Sequence, residues 1–471
     1  MRLEAPGSAP CSLEIVPPSV TELGIPFDVS VAVLDSNGYP SLEAEGTLHL
    51  SHPSEGKATG QIPFRAGVPA VGKIHGLVLG REGFHRLRTE MGALDAWSHP
   101  TRVSAEAGAR LFWGDPHVHT LLSRCHADKC RSLNFCYTAA RHAAGMEWVA
   151  AADHVSNGRC DVSKWYEQRC ASELYNDPGE FVTLPAYEAS LKGGKGGDTN
   201  VYMRRWPELF VDEYEEGDVR SLCRELEKIL SPEEFFVVPH HTTRPGKHGE
   251  IPDEIYPGQE RMPVMEIHSK WGTSEYRGNP NPLKKIHPGP SYANDLLQRG
   301  LLMGFVGGTD THTTMPSGLG EEPGHLDRLP GMTAVWGEEL TREEMYRGIQ
   351  GRSCYATSLE RIYLCGTACG VPLGGVVALE EIEEEKSRQI CADVAGRSEI
   401  ERVELVRNGE AIGSRCPDDW QACVEFLDET PLEEILLPSK HLGRFSYYYL
   451  RVTCRSGAQA WSSPVWIVER R

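Results

Sequence analysis

ARLFWGDPHVH, residues 109–119, is the stretch on which the reading of the chain turns. Apolar Leu111, Phe112 and Trp113 lead into Gly114, and polar side chains then crowd the end at Asp115, His117 and His119. This is the pattern of a buried strand that carries its chemistry at its C-terminal end. Residues i and i+2 of a strand face the same side, so His117 and His119 aim together with Asp115 behind them.

The same layout recurs outward from there. EWVAAADH (147–154) closes on Asp153 and His154, and FVTLPAYEAS (181–190) carries Glu188. NVYMR (200–204) follows Asp198, and FFVVPHH (235–241) ends on His240 and His241. PVMEIH (263–268) ends on Glu266 and His268, and LMGFVGGTDTH (302–312) on Asp310 and His312. RSLNFCYTAARHAAG (131–145), DVRSLCRELEKIL (218–230) and NDLLQRGL (294–301) have helical spacing. Seven strands separated by helices or long loops predict an α/β unit, a parallel barrel or sheet, over residues 108–361. In such a barrel the C-terminal strand ends open on one face, so these polar groups converge. Imidazole and carboxylate are ligands of Zn, Mn and Fe, and five strand ends bearing His predict a metal cluster.

On either side the texture changes. SLEIVPPSV (12–20), PFDVSVAVLDSNG (26–38) and EGTLHLS (45–51) alternate apolar and polar residues between Pro, Gly and Asn-Gly turns. IERVELVRNGEAI (400–412) and FSYYYLRVTCRSG (445–457) do the same. Residues 1–107 and 362–471 therefore read as β-sandwich-like segments, or as one composite sandwich built from both ends. A net charge of −19 argues against nucleic acid and against an anionic membrane as partners. No apolar run reaches about 18 residues, and the first twenty residues lack the apolar core of a signal peptide. With 14 dilute Cys, the expectation is a cytoplasmic protein with reduced thiols, taking a small-molecule substrate. Oligomeric state is left open.

GDPHVHT (114–120), AADH (151–154), PAYE (185–188) and GGTDTH (307–312) resemble the motif regions of the polymerase and histidinol phosphatase (PHP) superfamily. The closer resemblance is to an uncharacterised branch with a GD-x-H-x-HT strand and flanking β-rich segments. It extends to RSCYATSLERI (352–362) and YYYLRVTCRSGAQAWSSPVWI (447–467). The resemblance implies a distorted (β/α)7 barrel, two or three divalent metal ions and hydrolysis of phosphate esters by a metal-bridging hydroxide. A first ion would take His117, His119, Glu188 and Asp310. Glu188 would bridge to a second ion, held also by His240 or His241. A third would take His154, His312 and the residue eight after His117. Two positions depart from the family pattern. That eighth residue is Cys125, which favours a softer metal, and Asp198 stands where a His is usual. Cys125 and Cys130 also admit a separate structural zinc loop.

The remaining roles follow from chemistry. His268 is a candidate proton donor, or else a structural partner of Glu266. Asp115 and Asp153 are placed to accept the second N–H of a liganding imidazole, with direct ligation by Asp153 as the alternative. Arg124, Arg159, Arg244, Lys247 and Lys270 are candidate counter-charges for an anionic substrate, or solvated loop charges. The long loop 242–259 reads as a lid or a specificity element. The expected activity is that of a metal-dependent phosphoesterase. Its rivals are the same chemistry on a C–N, C–O or sulfate ester bond, and a non-catalytic binding or carbohydrate-recognition protein.

Overall fold

The computed structural model describes residues 9–55, 59–106, 108–125, 129–156, 158–191, 196, 198–212, 216–244, 250–283, 289–316, 330–382 and 387–469. Lys247 and the rest of 245–249 within the 242–259 loop lie outside the described residues.

Near the N-terminus, strands Ser12–Val16, Phe27–Leu34 and Val71–Leu77 make one antiparallel sheet. Thr59–Phe64, Gly46–Ser51, Arg88–Met91 and Leu94–Trp97 make another. Alternation turns Val29, Val31 and Val33 of the first sheet and Leu48 and Leu50 of the second into one shared core. This unit is tied to the rest of the chain. Trp113 Nε1 donates to Ser19 Oγ at 2.7 Å, and Glu14 meets His99 at 2.8 Å and Arg397 at 3.0 Å.

The middle of the chain is not a (β/α)7 barrel. Strands dominate it, helices are short, and no sheet closes on itself among the described residues. Ala186–Ser190, Asp198–Met203 and Phe235–His240 pair antiparallel, with Glu188 opposite Asn200 and Asp198 opposite His240. The reason lies in the first connection. Seven residues separate Ser190 from Asp198, too few for the crossover that parallel neighbours need. Arg110–Val118 has Trp148–Ala151 parallel on one side and Gly331–Gly337 antiparallel on the other. Val264–Ser269 and Gly304–Gly307 form a second parallel pair. The expected helix at 131–145 is split into Leu133–Thr138 and a wider π-type turn at Ala139–Ala143. Val219–Leu226 forms as expected but shorter, its start capped by Asp218 and Ser221.

The C-terminal strands do not flank a barrel either. Cys354–Ser358 pairs with Gln459–Ser462, so a sheet of 15 strands runs from the middle of the chain into its end. Asn408 and Gly409, both with positive φ, turn Arg388–Arg407 into Glu410–Arg415. Tyr447, Tyr449, Trp461 and Trp466 are fully buried and share a core with Phe305, Ile267 and Tyr187. The closing strands thereby brace the walls of the region where the histidines gather.

Candidate metal centre

Six strand ends deliver side chains to one buried place. His117 and His119 come from the end of Arg110–Val118, His154 from the turn after Trp148–Ala151, and Glu188 from Ala186–Ser190. Asp198 opens Asp198–Met203, His240 ends Phe235–His240, and Asp310 and His312 follow Gly304–Gly307. Glu188 is the hub. Its carboxylate lies 3.1 Å from His119 Nε2, 3.3 Å from His154 Nδ1, and 3.4 Å from the Nε2 atoms of both His117 and His240. Asp310 is a second hub, 3.1 Å from His119 Nε2, 3.1 Å from His241 Nε2 and 3.7 Å from His312 Nδ1. The structure brings both His240 and His241 to the site. Successive strand residues point apart, but His241 has φ 54° and swings its ring to within 4.8 Å of that of His240. Asp310 likewise has φ 50°. Left-handed backbone at residues other than Gly costs of order 1–3 kcal/mol and tends to collect at functional sites.

Donor atoms within 4.8 Å of one another form four overlapping groups. They are His117, His119 and Glu188; His117, His240 and Asp310; Glu188, Asp198 and His240; and His119, His154 and His312. A divalent cation suits this set. The donors are imidazole and carboxylate at cation-sized spacing, and His240 Nδ1 and Asn200 Oδ1 are buried without a hydrogen-bond partner among the described residues. Cys125 is half-buried at the rim, its thiol in contact with Cys130 and with the His312 ring. The Cys130 contact and burial push that thiol up to about 12.

Burial opposes charge on every group here, and at four of them neighbouring charges outweigh it. At His117 the charges of Asp310 and Glu266 outweigh burial and hold the ring well above its ordinary pKa. At His119 bonds to Asp310 and Glu188 do the same, up to about 10. Glu188, beside His154, His117, His119 and His240, lies well below the usual carboxylate range despite burial. So does Asp310, beside His117, His119 and His241. His154, His241 and His312 are pushed down, chiefly by burial, toward the neutral ring that ligates metal. Positive charge among these carboxylates is what holds them ionised, and metal ions would supply it while displacing the ring protons.

Glu266 was missed by sequence reasoning as a partner of His117. Its Oε2 lies 2.9 Å from His117 Nδ1, which leaves Nε2 to face Glu188. Alternation would keep Glu266 and His268 on one face, but the ladder slips between them, Glu266 pairing with Val306 and His268 with the next residue, Gly307. His268 therefore meets Thr273 Oγ1 at 2.8 Å and stacks on Trp461.

Asp153 and Asp115 also differ from expectation. The Ser123 hydroxyl donates to Asp153 at 2.6 Å, and the same oxygen lies 3.0 Å from His119 Nδ1 and accepts from the His154 N–H at 3.1 Å. Asp153 thus reaches an imidazole one hydroxyl removed. Asp115 accepts from Thr309 Oγ1 at 2.6 Å and from the Thr309 and His117 N–H groups, and burial raises it to about 6. It ties the two histidine-bearing strand ends together. Ser123 and Thr309 carried no separate signal, since isolated hydroxyls are common on loops.

Of the candidate cations, Arg124 is exposed, and Arg159 is half-buried and close enough to act on His154. Lys270 and Arg244 both lie against Trp271, a residue the sequence did not single out, with Nζ 5.0 Å and Cζ 5.6 Å from its ring centre.

No family model matches the chain. It is similar to proteins described only as uncharacterized. One from Chlamydia pneumoniae is 25% identical over 97% of this chain and 73% of its own length. One from Chlamydia muridarum is 25% identical over 97% and 74%. One from Chlamydia trachomatis is 27% identical over 79% of this chain and 59% of its own. Among solved structures, an Escherichia coli alpha-2-macroglobulin activated by porcine elastase covers 98% of this chain and 31% of its own at 8% identity, with a TM-score of 0.16. That score is too low to bear on the fold.

Proposed function

We propose that the protein is a metal-dependent hydrolase acting on a small phosphate ester. The observation that carries this reading is the gathering of His117, His119, His154, His240 and His312 with Glu188, Asp198 and Asp310 into overlapping donor groups in one buried cluster. Two or three divalent ions, of zinc, manganese or iron, are the cofactors suited to these donors. When bound, such ions supply Lewis acidity and make water acidic enough to act near neutral pH. The chain's own residues hold and orient. Glu188 belongs to two of the donor groups and would serve both positions. Glu266 fixes the His117 ring, and Ser123, anchored by Asp153, fixes His119. His119, His154 and His312 would hold a third position, with the Cys125 thiol beside His312 as its candidate further ligand. The motif resemblance to PHP proteins supports phosphate as the substrate group and does not depend on a closed barrel. All 14 cysteines are free thiols, and we place the protein in the cytoplasm. No described helix is long and apolar enough to cross a membrane.

Elemental analysis of protein purified without chelator, followed by turnover of aryl phosphates, aryl sulfates and anilides, tests the proposal. Metal-dependent release from aryl phosphate is the expected result. Metal with cleavage of sulfate or amide alone would move the reaction to another bond. A chain that holds no metal would contradict the reading.

A further inference from the structure

Strands Ala186–Ser190 and Phe235–His240 lie on either side of Asp198–Met203. Two strands flanking a third are about 10 Å apart, yet Glu188 Oε1 and His240 Nε2 come within 3.4 Å of each other. These side chains therefore meet over the strand between them. The register fixes which of its residues lie beneath, since Asn200 is opposite Glu188 and Asp198 is opposite His240. Asp198 and Asn200, two apart in one strand, project to the same face as those partners. Asp198 shares a donor group with Glu188 and His240. Asn200 is fully buried, and its Oδ1 has no hydrogen-bond partner among the described residues. Tyr202 fixes which way the amide is turned. Its hydroxyl donates its one proton to the Pro116 carbonyl at 2.8 Å, so its oxygen can only accept, and Asn200 Nδ2 donates to it at 3.4 Å. The Asn200 carbonyl oxygen is thus turned away from Tyr202, with Glu188, Asp198 and His240 as the polar groups around it on that face. A buried carbonyl left unmatched is costly, and a cation held by the three neighbours would match it.

We propose that the Asn200 carbonyl oxygen is a fourth ligand to the ion held by Glu188, Asp198 and His240, and that this position takes manganese. This rests on the metal-dependent reading and adds to it a ligand and an ion for one position. Three oxygens and one imidazole make a hard donor set, and the amide adds its oxygen without adding charge. The group of His119, His154 and His312 offers three imidazoles and suits zinc. The cluster is thereby a mixed centre, with the two kinds of ion sorted by donor type.

Titration with manganese of protein stripped by chelator and given one equivalent of zinc tests the assignment, with unbound manganese read by electron paramagnetic resonance and zinc by elemental analysis. The zinc-loaded wild type is expected to bind manganese. In Asn200→Leu, which keeps the volume and removes the oxygen, one manganese binds about tenfold or more weakly while the zinc is retained. Two polar replacements test the same point independently of how leucine is tolerated. Asn200→Asp, which keeps an oxygen, holds manganese at least as tightly as the wild type, and Asn200→His lets added zinc displace it at a lower concentration. Manganese affinity within twofold of the wild type in Asn200→Leu, or the same competition between the two ions in the wild type, Asn200→Asp and Asn200→His, overturns the proposal. Turnover of aryl phosphate by the metal-loaded wild type is read separately. A chain that shows these metal effects without turnover loses the hydrolase reading and keeps Asn200 as a ligand, and a chain that binds neither ion loses both.

Discussion

Single side chains around the cluster act through measurable contacts. Glu266 holds His117 Nδ1 at 2.9 Å, so Glu266→Gln, which removes the charge and keeps the shape, is expected to weaken metal binding by about tenfold or more. Competition with a chromogenic chelator measures this, and unchanged affinity would make Glu266 a mere neighbour. Cys125 is half-buried and touches His312. Cys125→Ser is therefore expected to lower bound metal by one ion and leave the others in place. Equal metal content in variant and wild type would remove Cys125 from the ligands. At this scale much was legible. His117, His119, His154, Glu188, Asp198, His240 and Asp310 stand out because polar residues at strand ends are costly unless they do something. Glu266, Ser123 and Trp271 were hidden, because what places them is a slipped ladder, a hydroxyl relay and an aromatic stack, none of which has a spacing in the chain.

Among the elements, the turn at Gly307 and Gly308 sets the tolerance of the site. A methyl group at Gly308 would lie 2.6 Å from Glu266 Oε2 and 2.7 Å from His117 Cβ. One at Gly307 would meet the Met332 carbonyl at 2.8 Å. Gly308→Ala is expected to disturb the Glu266–His117 bond and cut bound metal severalfold, while circular dichroism stays that of the wild type. Metal content equal to wild type would show that the turn can relax. The pair of glycines was visible in GGTDTH, but its reason is steric and appears only when the neighbouring strands are in place. Strand positions were legible from apolar runs, whereas their directions were not. The seven-strand parallel reading failed where Ala186–Ser190 and Asp198–Met203 pair antiparallel, and where Gly331–Gly337 lies beside Arg110–Val118 in the opposite sense.

Across the whole molecule, the two ends of the chain meet. Glu14, in the first strand, bonds His99 and Arg397, and Arg102 reaches Asp393 at 2.7 Å. Burial disfavours the Glu14 carboxylate, but His99 and Arg397 outweigh it and hold its pKa far below the ordinary value. A carboxyl depressed in the folded state adds stability above its unfolded pKa, and that contribution fades as pH falls toward the folded value. Glu14→Gln is thus expected to cost about 2 kcal/mol in urea unfolding at pH 7, with the gap to wild type narrowing below about pH 4. A gap independent of pH would refute the ion-pair account. Long-range joins of this kind were not legible, since residues 14 and 397 share no local pattern.

The central claim is that buried donors from six strand ends hold divalent ions. Plasma emission analysis of protein purified without chelator, beside His117→Ala and Asp310→Ala, tests it most directly. Two or three ions per wild-type chain, with most lost in each variant, is the predicted result. A wild type that carries no more metal than the variants, even after incubation with zinc or manganese, would contradict it.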